Sequence, residues 1–208
     1  MTDAPAHLRR LLIAEDDDAL RMMLASSLEM NGYTVTESVC RQSASQCLRE
    51  NEDIQVMIID LGLPPAAHST DEGIALIRDI LQIKGNAKII VLTGQDEESA
   101  ALAAIREGAF DFLAKPATLE EILQSVSRAF LFQKQERSMS AEGMTRLQIN
   151  ARVADGLKAV REDAEEKLVR QVLRDTNFNV YQSAARLGVK RESIYYFLKK
   201  FGIQRDPD

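Results

Sequence analysis

Apolar residues recur in two rhythms along this chain. Short β-rich runs occur at LLIA (11–14), YTVTE (33–37), VMIID (56–60), KIIVLT (88–93) and FDFLA (110–114). Three of them are near-continuous in Val, Ile, Leu and Met, as expected of strands buried on both faces. Between them, helical spacing is found near 19–30, 41–50, 72–83, 97–107 and 119–136. Strict alternation of strand and helix predicts an α/β, doubly wound fold with a parallel five-stranded sheet. In such folds, ligands bind beyond the carboxyl ends of the strands.

The rhythm then changes. The stretch QKQERSMSAEG is polar and predicts a linker at 137–144, separating a first domain (8–136) from a second (145–208). No strand pattern follows. Helices are expected near 146–160, 163–175, 180–187 and 191–200, with Gly188 between the last two and Gly202 as a stop signal. The second domain therefore reads as small and all-α. There is no internal repeat and no low-complexity tract.

Composition narrows the class. Of 208 residues, 45% are hydrophobic and 28% charged, the balance of a soluble globular protein. No apolar run is long enough to cross a bilayer, and MTDAPAHLRR has no apolar core of a signal peptide. Cys40 and Cys47, seven apart on one expected helix face, read as small buried hydrophobes, not a disulfide framework. Together these predict a cytoplasmic protein with no membrane partner.

The net charge of −6 is unevenly spread. Residues 139–208 hold 13 basic and 10 acidic side chains, whereas the first 138 hold 13 and 22. Within 178–205, Arg186, Lys190, Arg191, Lys199, Lys200 and Arg205 stand against Glu192 alone. An acidic first part and a basic tail suggest two tasks, the second directed at a polyanion.

The strand ends carry the candidate chemistry. Glu15 and Asp16 follow the first run, Asp60 ends the third, Thr93 and the small Gly94 close the fourth, and Lys115 ends the fifth before Pro116. All lie at the same edge of a parallel sheet. Clustered carboxylates repel by on the order of 4 kcal/mol per pair at about 4 Å and an effective dielectric of about 20. A hard divalent cation such as Mg2+ relieves this, with Asp16 and Asp60 as ligands, Glu15 direct or through water, and the Gly62 carbonyl completing the set. Asp60 can act as a nucleophile toward a phosphoryl group, with Lys115 and Thr93 stabilising its oxygens. An acidic run after a strand is often only a helix N-terminus, and Asp17 and Asp18 read that way.

In order, LLIAEDDDALR, VMIIDLGLP, IIVLTG and FLAKP resemble response-regulator receiver domains of two-component systems, over about residues 8–132. The resemblance implies a flavodoxin-like sheet of order 2-1-3-4-5. It implies that Asp60 is the phosphoacceptor, with a sensor histidine kinase as donor, and that Thr93 and Phe112 switch together. The alternative for Phe112 is a core aromatic. His7 and His68 match no family position and read as surface residues, while Gly62 and Gln95 stand where the family tunes phosphate loss. One departure is the segment DLGLPPAAHSTDEG, about five residues longer than in most receivers. Its AAHST stretch is expected to cover part of the pocket mouth or to contact the kinase.

In the tail, Ala184, Ala185 and Leu187 read as the apolar side of one helix. Ile194, Phe197 and Leu198 read as the buried stripe of the next. A short helix, a glycine turn and a basic second helix form the helix-turn-helix plan. Candidate DNA contacts are Asn179, Gln182, Lys190, Arg191, Ser193, Tyr195, Tyr196, Lys199 and Lys200. A structural hairpin with a solvated basic face is the alternative. The segment 164–204 resembles the Fis-type DNA-binding domain, although Tyr195 and Tyr196 stand where many relatives have basic residues. The resemblance implies a homodimer built on the earlier helices, through Leu147, Ile149, Val153, Leu157, Val160, Leu168, Val169, Val172 and Leu173.

Fis-type domains often end activators with a central ATPase. The sequence has no room for one and no G-x-x-x-x-G-K-[ST] loop. The reading is therefore a two-component transcriptional regulator binding double-stranded DNA, and not an enzyme. A phosphatase using Asp60 is disfavoured for want of an accompanying acid or base. The alternative is a phosphorylation-controlled interaction or dimerisation protein that does not read DNA sequence.

Overall fold

The computed structural model describes residues 9–94, 98–142, 144, 147 and 156–204. The chain divides into two compact units, 1–145 and 146–208. The first contains β1 (Arg10–Ala14), α1 (Asp18–Met30), β2 (Thr34–Ser38), α2 (Arg41–Glu50), β3 (Val56–Asp60), α3 (Asp71–Ile83), β4 (Lys88–Thr93), α4 (Glu98–Glu107), β5 (Asp111–Ala114) and α5 (Leu119–Ala141). The second contains α6 (Gly156–Asp175), α7 (Val180–Leu187) and α8 (Arg191–Lys200).

All strand pairs are parallel, in the order β2-β1-β3-β4-β5, which is the doubly wound, flavodoxin-like arrangement expected. The apolar runs are continuous because successive side chains serve opposite layers. Leu12, Ala14, Met57, Ile59, Ile89 and Val91 pack with Leu48, Leu76, Ile80 and Ala104 of the helices on one face. Leu11, Ile13, Val56, Ile58, Ile90 and Leu92 pack with Leu24, Leu28, Ile122 and Val126 on the other. The edge strand β5 alternates half-buried and exposed positions instead.

The register aligns the carboxyl ends. Ala14 lies beside Ile59, Asp60 beside Leu92, and Thr93 beside Ala114. Hence Glu15, Asp60, Thr93 and Lys115 emerge at one edge, as the alternation predicted.

The second unit closes around Val169, Leu173, Ala184, Ile194 and Ile203, with Phe178, Phe197, Leu198 and Phe201 packed against them. Gly188 ends α7 at φ +66, a left-handed conformation that side-chain-bearing residues rarely adopt, and the chain turns there into α8. Among the described residues, no helix is long and apolar enough to cross a membrane.

Several sequence expectations need correction. The helix after β5 runs to Ala141, into the polar stretch read as a linker. The gap expected between helices at 160 and 163 does not exist: α6 is continuous, since no Pro or Gly interrupts it after Gly156. Most of 146–155, including Ile149 and Val153, lies outside the described residues, as do His7 and Gln95. The buried pair on α7 is Ser183 and Ala184, while Ala185 is exposed. Ser183 is buried because its hydroxyl bonds that of Thr176 at 2.6 Å, joining the end of α6 to α7. Cys40 precedes α2 and is only half-buried, with its sulfur 3.2 Å from the Ser43 hydroxyl.

Candidate functional site

The pocket at the sheet edge is organised around Lys115. Its Nζ lies 2.9 Å from Oε2 of Glu15 and 2.8 Å from Oδ2 of Asp60. Glu15 is 1% exposed, and it is held from two further sides. Its Oε1 accepts from the Asp17 amide at 3.3 Å, and its carbonyl accepts from Arg21 at 2.9 Å. Asp16 is exposed beside it. Ligand oxygens of Glu15, Asp16 and Asp60 come within 4.8 Å of one another.

Burial and neighbouring charges act together on Glu15 and Lys115. Burial pushes the Glu15 carboxyl above its ordinary range; the bond from Lys115 pulls it back, and the charge of Asp60 adds to the rise. Burial acts against the Lys115 charge, yet its bonds to Asp60 and Glu15 outweigh this and hold the ammonium above the ordinary lysine range. The pocket thus holds one fixed cation among several carboxylates.

The neighbouring positions fit a confined site. Thr93 is buried at the end of β4, its hydroxyl 3.5 Å from the Gly94 carbonyl, while Gly94 is exposed. Lys115 precedes Pro116 through a cis bond. Phe112 is 44% exposed on β5, so it is not a core aromatic. Asp17 and Asp18 belong to the helix start, as read: the Asp17 side chain accepts from the Leu20 amide at 2.9 Å, and Asp18 pairs with Arg21.

The long loop after Asp60 folds back on Gly62. A Cβ at that position would lie 2.8 Å from the Ala67 carbonyl oxygen and 3.7 Å from Oδ2 of Asp60. Any side chain would collide with backbone, so the added stretch requires glycine here. His68 is exposed in that loop.

The second unit presents the other set. On α8, Ile194 is buried, whereas Arg191, Tyr195 and Lys199 form one exposed row at four-residue spacing, and Glu192, Tyr196 and Lys200 form the adjacent row. Lys190 is exposed at the start of the helix, and Ser193 is half-buried. The rows differ in what they touch. Lys200 donates to Glu165 of α6 at 2.7 Å, so its ammonium is engaged within the unit. Among the described residues, Lys190, Arg191 and Lys199 have no acidic partner. Asn179 caps α7, its side chain accepting from the Gln182 amide at 3.0 Å, and the Gln182 side chain is exposed nearby. Sequence reasoning missed Tyr181, whose ring lies 5.1 Å from the Arg191 guanidinium carbon. Its only sequence signal is an aromatic residue in a helix turn that otherwise has no need of one.

Of the expected dimer positions, Val169 and Leu173 lie inside this unit's own core, while Leu157 is 79% exposed.

The profile described as response regulator receiver domain matches residues 11–127, and that described as bacterial regulatory protein, Fis family, matches 160–201. The 32 residues between the two matches leave no space for a central ATPase. The C4-dicarboxylate transport transcriptional regulatory protein DctD of Rhizobium meliloti is 26% identical over 99% of this chain and 42% of its own length. The transcriptional regulatory protein FixJ of the same organism is 33% identical over 62% of this chain and 58% of its own. The chain thus spans less than two thirds of the curated relatives it matches. Among solved structures, a response regulator receiver domain protein from Clostridium thermocellum is 26% identical with a TM-score of 0.56, covering 61% of this chain and 97% of that one. The beryllofluoride-activated NtrC4 receiver domain dimer is 27% identical with a TM-score of 0.53, covering 59% and 96%.

Proposed function

Because the chain belongs to the response-regulator receiver family, matched over residues 11–127, we propose that it is a cytoplasmic two-component transcriptional regulator: Asp60 accepts a phosphoryl group from a sensor histidine kinase, and the C-terminal helix-turn-helix binds double-stranded DNA as a homodimer. The observation that carries this reading is the contact of Lys115 with both Glu15 and Asp60 at the mouth of a parallel sheet, in a chain that also carries a Fis-family segment.

The chemistry is a displacement at phosphorus. An Asp60 carboxylate oxygen attacks the phosphorus of a phosphohistidine. The P–O bond forms as the P–N bond breaks, and the released imidazole takes up a proton. Lys115 fixes the acceptor and offers its positive charge to the incoming phosphoryl oxygens. The three clustered carboxylates suit a hard cation, so Glu15, Asp16 and Asp60, with the Gly62 carbonyl, would hold Mg2+. When bound, it supplies charge neutralisation on the phosphoryl oxygens. Gly94, bearing no side chain, leaves the acceptor accessible.

Phosphorylation is read out through Thr93 and Phe112. The Thr93 hydroxyl turns toward the phosphate and the exposed Phe112 ring moves inward, changing the face that carries α4, β5 and α5. Leu102 and Ile105 are exposed on α4, 52% and 38%. A change there alters dimerisation or releases the DNA-binding unit. Arg191, Tyr195 and Lys199, joined by Lys190, Ser193, Tyr196 and Gln182, enter the major groove. A dimer spans two half-sites about 34 Å apart.

The direct test is incubation of the full chain with a small acyl phosphate and Mg2+, followed by intact-mass measurement. Wild type should gain one phosphoryl group, and Asp60→Asn none. Equal incorporation in both would contradict the assignment.

A further inference from the structure

Tyr181 is an exposed aromatic with no role in the core of its unit. It is the second residue of α7 and 66% exposed, and it is absent from the buried cluster that holds α6, α7 and α8 together. A ring with two thirds of its surface in solvent gains little from burial at this place. What it touches is the guanidinium of Arg191, the first residue of α8, at 5.1 Å from the ring centroid. The left-handed turn at Gly188 connects the two helices, and the capped start of α7 at Asn179 fixes the backbone that carries the ring.

We infer that Tyr181 is a positioning residue for DNA readout: it holds the Arg191 guanidinium against its ring so that the donor edge faces the groove. The inference rests on the DNA-binding reading above. A guanidinium is planar and can stack on an aromatic face while its N–H groups still point outward. Among the described residues, no carboxylate competes for Arg191, so the ring is what limits its rotamers. A free arginine would lose that rotamer freedom on pairing with a base, whereas a stacked one has lost part of it beforehand. The ligand feature that this arrangement fits is the acceptor pair N7 and O6 of guanine in the major groove, which takes a bidentate arginine. Lys199, on the same row two turns further on, has no such support and suits a phosphate instead. Tyr196, on the adjacent row, lies 5.6 Å from Phe197 and 5.9 Å from the Lys200 ammonium, so its ring faces a cation already bonded to Glu165 and not a guanidinium.

The test is selection from a randomised duplex DNA library by the full chain, comparing wild type, Tyr181→Phe, Tyr181→Leu and Arg191→Ala. Arg191→Ala identifies which guanine of each half-site the arginine reads. Tyr181→Leu should lower the preference for that guanine about two- to fivefold, the size of an exposed cation–π contact, while leaving other positions and the salt dependence unchanged. Tyr181→Phe should restore the preference, since the ring and not the hydroxyl does the holding. Unchanged preference in Tyr181→Leu, or a uniform loss across all positions, overturns the inference while leaving DNA binding intact. A wild-type chain that enriches no sequence overturns both.

Discussion

The two units solve the placement of charge in opposite ways. In the first, Glu15 and Asp60 are held under a sheet edge by one lysine, and strand register fixes every member. In the second, the basic groups stand on a single exposed helix face over a core of a few residues. Burial makes the first site rigid and strongly interacting. Exposure makes the second depend on individual side-chain contacts, such as Tyr181 with Arg191 and Glu165 with Lys200. A site of the first kind suits chemistry on one atom, and one of the second kind suits a long, charged, solvated partner.

The contrast can be broken at its cores first. Leu173→Ala removes a fully buried side chain from the small cluster, and such truncations cost about 2–5 kcal/mol. Against a domain stability of roughly 5–15 kcal/mol, the second unit has little reserve. Calorimetry should show the transition of that unit displaced strongly, with DNA binding lost near 37 °C and phosphoryl uptake retained. Loss of both activities together would show that the units do not act as separate folding bodies.

A smaller effect is expected in the pocket. Lys115→Ala leaves the buried Glu15 and the half-buried Asp60 without their cation. This should cost about 1–3 kcal/mol, less than a fully buried pair because Lys115 is 27% exposed. Mg2+ should recover part of that melting temperature, since a divalent cation answers the same repulsion. Asp16→Asn should abolish the recovery. A variant as stable as wild type without Mg2+ would mean that the carboxylates do not strain the fold.

The smallest effect separates two adjacent lysines. Lys199 has no acidic partner among the described residues, whereas Lys200 is paired with Glu165. Lys199→Ala should reduce the slope of log affinity against log salt by about 0.9, the value for one phosphate contact, and Lys200→Ala by much less. Equal slopes would show that the Glu165 pair opens on binding.

The sequence made the first unit almost fully legible. Short apolar runs alternating with helical spacing read as strands of a parallel sheet, and Glu15, Asp16, Asp60, Thr93 and Lys115 fall at their ends. The second unit was legible in its helices and its turn, but less so in its surface. The burial of Ser183 comes with a bond to the Thr176 hydroxyl, which lies in the turn just after α6. Lys200 looks the same as Lys199 along the chain and differs only through Glu165, 35 positions away. The break expected at 160–163 was misread because a polar run without glycine or proline carries no mark of whether a helix ends there. Gly62 was read as a carbonyl donor, while its closeness to Ala67 depends on how the added loop folds back.

The central claim is that phosphate on Asp60 governs what the face around Arg191 does to DNA. Genomic DNA selection by the full chain, with and without an acyl phosphate donor, tests it directly in wild type and Asp60→Asn. The account predicts discrete sites with paired half-sites about one helical turn apart, whose occupancy shifts with the donor in wild type and not in Asp60→Asn. Occupancy indifferent to the donor in wild type, or no enrichment in either state, would contradict it.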